Sequence, residues 1–113
     1  MKRISTHVLD VALGKPAAGM GVRLDREEAG AWRHLGSAKT DADGRCGQLL
    51  PESDALRAGR YRLAFETGNY FAALGVAGLY PVVEITFEVR GGETHFHVPL
   101  LLSPHGFTTY RGS

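Results

Sequence analysis

VVEITFEV, residues 82–89, alternates apolar and polar side chains along most of its length. Its odd-numbered positions are Val83, Ile85, Phe87 and Val89, whereas Glu, Thr and Glu occupy three of the four even-numbered positions. Successive side chains of a β-strand point to opposite faces of the sheet, so this pattern predicts a half-buried strand. YRLAFE, residues 61–66, repeats the pattern with three bulky apolar residues on one face. The chain is therefore predicted to build its core from strands.

Turn signals divide the rest of the chain into similar short runs. DADG (residues 41–44) and RGGE (residues 90–93) combine residues that favour tight turns. One segment differs: TGNYFAALG (residues 67–75) predicts a single short helix, with Thr67 or Asn69 as its cap and a glycine as its stop. About eight short strands at this spacing are typical of an all-β sandwich or barrel. The predicted strands start near Ile4, Gly21, Ala31, Arg45, Arg60, Val82, Glu93 and His105.

Length and composition exclude several classes of function. The 113 residues fit one domain, 1–113, and no linker or repeat divides them. A formal net charge of +1 without a Lys/Arg cluster argues against nucleic-acid binding. No apolar run approaches the roughly 20 residues of a membrane helix, and the N-terminal segment lacks the apolar stretch of a secretory signal. A cytoplasmic location is therefore expected. The one cysteine, Cys46, lies among small and polar residues and is expected to be an inert thiol.

The late stretch ETHFHVPLLL (residues 93–102) places histidines and apolar residues on one strand face. Alternation puts Phe96, Val98 and Leu100 on the core side of the predicted sheet. The outer face then carries His95 and His97 together with Pro99 and Leu101. Apolar residues on an outer face suggest a cover, and another subunit is the expected one.

The spacing of the histidines permits two chemistries. The His-x-His pair at 95 and 97 suits a metal site as well as acid–base catalysis, and His7 would supply a third imidazole ligand for zinc. No matching carboxylate or cysteine accompanies these three histidines. A calcium loop beginning at DADG is excluded, because its sixth position must be glycine and is Cys46. On pattern alone, Arg45 is an ordinary solvated turn charge.

Four motifs in sequence order carry a resemblance to a known family. HVLD (7–10), TDADGR (40–45), HFHVPLLLSP (95–104) and TTYRGS (108–113) together resemble the 5-hydroxyisourate hydrolase branch of the transthyretin-like family. The resemblance covers essentially the whole chain. It implies a β-sandwich of two four-stranded sheets with one short helix. It also implies a homotetramer with a central channel lined by the outer sheet faces.

The resemblance also implies a set of site residues. It assigns catalysis to His7, Arg45 and His97, and ranks His95 second to His97. It further implies that the tail turns into the channel and binds substrate through Tyr110, Arg111, Gly112 and Ser113.

The implied reaction is hydrolysis of a ring amide of 5-hydroxyisourate. The product is 2-oxo-4-hydroxy-4-carboxy-5-ureidoimidazoline, on the route from urate to allantoin, and no cofactor is needed. Either His7 or His97 would activate water while the other orients substrate, with Arg45 stabilising the charge that develops on the carbonyl. The alternative is a non-catalytic carrier of a small ligand in the same channel. Two channel histidines and an arginine argue against a carrier, whose channel should be lined by apolar or small groups.

Overall fold

The computed structural model describes residues 2–113 as two β-sheets and one short helix. Within this range the elements are β1 (Arg3–Asp10), β2 (Lys15–Pro16), β3 (Gly21–Glu28), β4 (Ala31–Lys39), β5 (Arg45–Cys46), β6 (Gly59–Phe65), α1 (Thr67–Ala73), β7 (Val83–Val89), β8 (His95–His97), β9 (Leu100–Ser103) and β10 (Gly106–Thr109).

The first sheet confirms the alternation that predicted it. Its four antiparallel strands lie in the order β4-β3-β6-β7. Strands β6 and β7 pair with Leu63 opposite Ile85. The residues at 61, 63 and 65 are fully buried, and Val83 is buried as well, whereas Glu84 faces solvent. The bulky faces of both strands therefore point to the core.

The second sheet is built around β1 and contains more segments than expected. Strand β1 runs parallel to β8 and β9 and antiparallel to the two-residue strands β2 and β5, and β10 lies at the edge beside β9. The predicted continuous strand through HFHVPLLL is interrupted at Val98 and Pro99. Proline has no backbone N–H to donate to the ladder, so the pairing stops there and resumes at Leu100. The sheet thus comprises six segments rather than four strands.

Both sheets contribute to one buried apolar cluster, as a sandwich requires. Phe96, Val98 and Leu100 are buried in it, which confirms the predicted core side of the late stretch. The opposite side chains of β8, His95 and His97, are half-buried and face away from the core. The core between the sheets therefore sets the direction in which the histidines point.

The predicted helix is present, but neither proposed side-chain cap is used. Its N-cap residue is Glu66, without a capping side-chain hydrogen bond, and the Thr67 hydroxyl instead donates to the Tyr80 carbonyl oxygen at 2.7 Å. Gly75 follows the helix at φ +71°, a conformation that glycine adopts readily. The Tyr70 hydroxyl donates to the buried Asp10 carboxylate at 2.8 Å. This bond attaches the helix to the end of β1.

No helix within residues 2–113 has both the length and the apolar composition to cross a membrane.

Candidate active site

The first half of β1 brings the predicted catalytic residues together. In the parallel pairing with β8, Arg3 lies opposite His95 and Ser5 lies opposite His97. In the antiparallel pairing with β5, His7 lies opposite Arg45. Five residues of one strand are therefore enough to align the His-x-His pair and the arginine along one sheet.

A pocket of about 310 Å³ opens on this face. Of the predicted site residues, Arg45, His97 and Ser113 line it together, and His95 lies beside them. Its remaining lining residues are Arg3, Ser5, Thr6, Cys46 and Gly47.

His97 is held in place by a hydroxyl group and is surrounded by positive charge. Its Nδ1 lies 2.8 Å from Ser5 Oγ, whereas its Nε2 has no hydrogen-bond partner among residues 2–113. Burial lowers the pKa of His97 below its usual value, and the positive charge of Arg45 lowers this pKa further. His95, His7 and Arg3 act in the same direction. His97 is therefore a neutral imidazole at pH 7, with one ring nitrogen free.

His7 is positioned next to this pocket but not among the residues that line it. Its Nε2 lies 2.9 Å from the Asp43 carbonyl oxygen. A carbonyl oxygen only accepts, so Nε2 carries the proton of this bond and the lone pair of the neutral ring is on Nδ1. This bond fixes the ring of His7 against the turn that precedes Arg45.

The turn before Arg45 is shaped by its own side chains. Asp41 Oδ1 accepts hydrogen bonds from the backbone N–H groups of Asp43 and Arg45, both at 2.9 Å. Gly44 has φ +76°, and a Cβ there would clash with the Val8 carbonyl oxygen. Within residues 2–113 the guanidinium of Arg45 makes no hydrogen bond or ion pair, so its donors are available to a ligand.

The C-terminal segment lies directly against His97. The Gly112 N–H donates to the His97 carbonyl oxygen at 2.7 Å. A Cβ on Gly112 would lie 2.5 Å from His97 Cδ2 and 3.1 Å from Pro99 Cγ, so only glycine fits without displacement. Pro99 is already buried within the single chain, beside Gly112. Leu101 is half-buried.

Tyr110 and Arg111 do not reach the pocket that Ser113 lines. They border a separate depression of about 250 Å³ on the other side of the tail, together with Phe96. Arg111 Nη1 lies 2.8 Å from Glu93 Oε1, and its guanidinium carbon stands 4.5 Å above the centre of the Phe96 ring. Tyr110 is 54% exposed. The ion pair and the ring contact direct the Arg111 side chain towards Glu93 and Phe96.

Ser5 and Arg3 line the pocket although the motifs did not mark them. A signal for Ser5 was present, because it stands two positions before His7 and shares its strand face. Arg3 lies two positions earlier still. Nothing in the sequence distinguished Arg3 from an ordinary residue at the start of a strand.

The other depressions among residues 2–113 offer fewer side chains suited to catalysis. A depression of about 640 Å³ borders residues 47–56 and contains no histidine. Another, of about 460 Å³, borders His34 and Arg23, but both of these side chains contact the buried carboxylate of Asp25 at 3.3 Å. Among residues 2–113 no three His, Cys, Asp or Glu side chains are grouped so that they could hold a metal ion. The zinc alternative thus gains no geometric support.

The two-sheet sandwich with one short helix, and a pocket lined by histidine and arginine beside β1, define a transthyretin-like protein with a polar site. The model of the HIUase/Transthyretin family matches residues 4–112, and the chain belongs to this family. The 5-hydroxyisourate hydrolase of Caulobacter vibrioides is 46% identical, with full coverage of both chains. That of Mus musculus is 46% identical, over 97% of this chain and 94% of its own.

Solved structures show that the fold alone does not separate the two branches of the family. The Klebsiella pneumoniae 5-hydroxyisourate hydrolase has a TM-score of 0.86 and 42% identity, with full coverage of both chains. Sea bream transthyretin in complex with thyroxine has a TM-score of 0.90 but 31% identity, over 96% of this chain and 93% of its own. The backbone is thus as close to a thyroxine-bound transthyretin as to a 5-hydroxyisourate hydrolase, so only the side chains of the site can distinguish the two.

Proposed function

We propose that this protein is an enzyme that hydrolyses 5-hydroxyisourate to 2-oxo-4-hydroxy-4-carboxy-5-ureidoimidazoline, on the route from urate to allantoin. The observation that carries this proposal is the shared pocket of His97, Arg45 and Ser113. Relatives with 42–46% identity over nearly the whole chain are named 5-hydroxyisourate hydrolases. Hydrolysis of a cyclic amide needs an activated water and a stabilised oxyanion, and each pocket side chain suits one of these needs.

His97 is the proposed general base. Water is a poor nucleophile, and an imidazole whose pKa lies near the working pH is an effective general base for it. Burial and the positive charge of Arg45 keep His97 unprotonated at neutral pH, since both lower its pKa. Ser5 occupies Nδ1, so Nε2 is the nitrogen that takes the proton of the water.

Arg45 is the proposed binding and stabilising group for the substrate carbonyls. Its planar fork can contact two oxygen acceptors of a planar heterocycle at once. Negative charge that develops on the attacked carbonyl oxygen is stabilised by such preorganised donors. His7 lies opposite Arg45 in the pairing and offers Nδ1 as an acceptor. We assign it the orientation of substrate N–H groups rather than the activation of water.

The tail contributes to the same site in two ways. Ser113 lines the pocket and can donate to a ring carbonyl or hold the attacking water. Gly112 packs against the imidazole of His97 and limits its movement. Arg111 contacts Glu93 and Phe96 beside the tail. Substrate contacts of Tyr110 and Arg111 remain a prediction.

The direct test is to mix the purified protein with 5-hydroxyisourate freshly made from urate by urate oxidase and to follow the ultraviolet decay. Decay much faster than the spontaneous reaction is expected, with the carboxylated ureidoimidazoline as the first product. The same decay in buffer alone provides the control. Equal rates with and without the protein would refute the proposed activity.

The second candidate is a non-catalytic carrier, which the likeness to a thyroxine-bound transthyretin favours. Titration with thyroxine distinguishes the two. A carrier would bind the hormone and leave the decay of 5-hydroxyisourate unchanged, whereas the hydrolase is expected to accelerate that decay. The charged and polar lining of the pocket supports the hydrolase.

A homotetramer is the proposed assembly. Phe107 and Tyr110 are 40% and 54% exposed, and they lie in and just after β10, the edge strand of its sheet within the described residues. Exposed apolar groups beside an open strand edge favour association between copies. Light scattering should give four times the chain mass of 12.2 kDa. A monomer would contradict this assembly without affecting the pocket described within one chain.

Replacing Arg45 separates its charge from its shape. Arg45→Lys keeps the positive charge but not the planar fork. The substrate should then lose one charge-assisted hydrogen bond, and KM should rise by roughly 10- to 100-fold. Arg45→Gln also removes a charge that lowers the pKa of His97, so this pKa should rise. His97 would then be protonated at higher pH. The acid limb of the kcat/KM profile should therefore move to higher pH in the Gln variant and stay in place in the Lys variant.

Steady-state kinetics across the pH range measure both effects. Arg57→Lys, an exposed arginine in the loop before β6, is the matched control. An Arg45→Lys variant with the parental KM would show that this arginine is only a turn charge.

A further inference from the structure

The hydroxyl of Ser5 lies between the two imidazoles of the His-x-His pair. Ser5 Oγ is 2.8 Å from His97 Nδ1 and 3.4 Å from His95 Nε2. Ser5 is only 6% exposed, so bulk water does not compete strongly for this group. The three side chains form a short hydrogen-bonded chain that joins β1 to β8.

The direction of this chain determines which ring nitrogen of His97 can act. A serine hydroxyl donates one hydrogen bond, and a neutral imidazole has one donor and one acceptor nitrogen. If Ser5 donated to His97 Nδ1, Nε2 would carry the proton and could not take another from water. If His97 Nδ1 donates to Ser5, the serine hydrogen is free to point at His95 Nε2. All three groups are then satisfied, and His97 Nε2 has its lone pair free.

We propose that Ser5 is a positioning residue that holds His97 as the Nδ1-protonated tautomer and leaves Nε2 as the proton acceptor facing the pocket. The expected effect on catalysis rests on the proposed hydrolase function, whereas the hydrogen bonds of Ser5 with the two histidines do not. Ser5 does not touch the substrate in this role. It acts through His97, and His95 receives the hydrogen of its hydroxyl.

The tautomer can be measured without substrate. The nitrogen-15 shifts of the His97 ring, recorded on the full chain above its pKa, distinguish a protonated from an unprotonated ring nitrogen. We expect Nδ1 to be protonated and Nε2 unprotonated. In Ser5→Ala the ring should lose this preference and populate both tautomers. A parent protein with the proton on Nε2 would overturn the proposal, even if Ser5→Ala failed to fold.

The kinetic test uses three variants. Ser5→Ala should lower kcat by about 10- to 100-fold, the range found when a metal-bound histidine loses its outer hydrogen-bond partner, with KM nearly unchanged. Ser5→Thr retains a hydroxyl and should recover most of the loss. Ser37→Ala, on the exposed surface of β4, is the matched control and should behave as the parent. Thermal melts of each variant report whether the fold is intact.

The charged surroundings of His97 do not change in Ser5→Ala. The charged and titratable groups that face His97 are Arg3 and His7 on β1, Arg45 on β5, His95 on β8 and the tail at Ser113. All of them remain in Ser5→Ala, so a purely structural role for Ser5 would lower stability and leave kcat in place. Full kcat together with an unchanged tautomer in Ser5→Ala would refute the positioning role.

The two proposals fail in different ways. If the parent chain does not accelerate the decay of 5-hydroxyisourate but shows the expected tautomer, the proposed function is wrong and the positioning of His97 by Ser5 is supported. If hydrolysis is fast and the proton lies on Nε2, the function is supported and the positioning role is wrong.

Discussion

His97→Ala is expected to lower kcat for 5-hydroxyisourate by at least about 100-fold, the usual contribution of a general acid–base group. The substitution removes the imidazole that burial and Arg45 keep unprotonated at neutral pH. The loss should fall on kcat more than on KM, because the proposed substrate contacts of Arg45 and the tail are retained. The ring faces away from the core, so the thermal melt should remain cooperative. Initial rates from the ultraviolet decay and a melting curve are the two measurements.

Alanine variants of two other histidines provide the comparison for His97→Ala. His105→Ala, at an exposed turn, is the matched control and should retain the parental rate. His7→Ala should also lower kcat by about 100-fold if the second imidazole takes part in proton transfer or substrate orientation. Parental activity in His97→Ala would remove this residue from the mechanism and transfer the role of base to His7.

Gly112→Val should abolish most activity, with a loss of at least about 100-fold, because an ångström-scale displacement of a catalytic group can cost that much. A Cβ at this position would already lie 2.5 Å from His97 Cδ2, and valine adds two further methyl groups. The imidazole or the tail must therefore move. Removing residues 111–113 should have a similar effect, since the chain would lose the Gly112 hydrogen bond to His97 together with Ser113.

Stability distinguishes a functional tail from a structural one. Residues 111–113 contribute no member of the buried apolar cluster, so the truncated chain should fold and lose little stability, mainly through exposure of Pro99. Gly91→Val is the matched control, because a Cβ at Gly91 meets no atom within 4 Å. Full activity in the truncated protein would show that the tail is dispensable. Loss of the folded state would show that it acts structurally.

The strands were predictable because alternation expresses a local rule. Val83 and Tyr61 are buried and Glu84 is exposed, as the period of two requires. The helix between Thr67 and Gly75 was also indicated by local signals. The face of His97 followed from Phe96 being its core-side neighbour. For these elements, the polarity of a residue and its position in the strand were enough to predict whether its side chain is buried or exposed.

Contacts between distant segments were not predictable in this way. Pro99 was expected to need cover from a second subunit, and nothing in the sequence indicated that Gly112 of the same chain lies against it. Arg111 was expected to bind substrate, and nothing in the sequence indicated its ion pair with Glu93. Ser5 shares a strand face with His7, but no motif marked it. Its contact with His97 spans 92 positions and depends on a parallel register that no local pattern encodes.

That long span also affects how the protein folds. Closing a chain over large sequence separations is entropically costly, and proteins dominated by such contacts fold slowly. The sheet that carries Trp32 is joined by nearer pairings, such as the hairpin of β3 with β4, whereas β1 must find β8 and β9 near the other end of the chain. Partly folded molecules can thus contain an ordered first sheet and no site. In refolding from denaturant, recovery of activity should lag behind recovery of tryptophan fluorescence, because the site forms only when β1 has paired with β8 and β9.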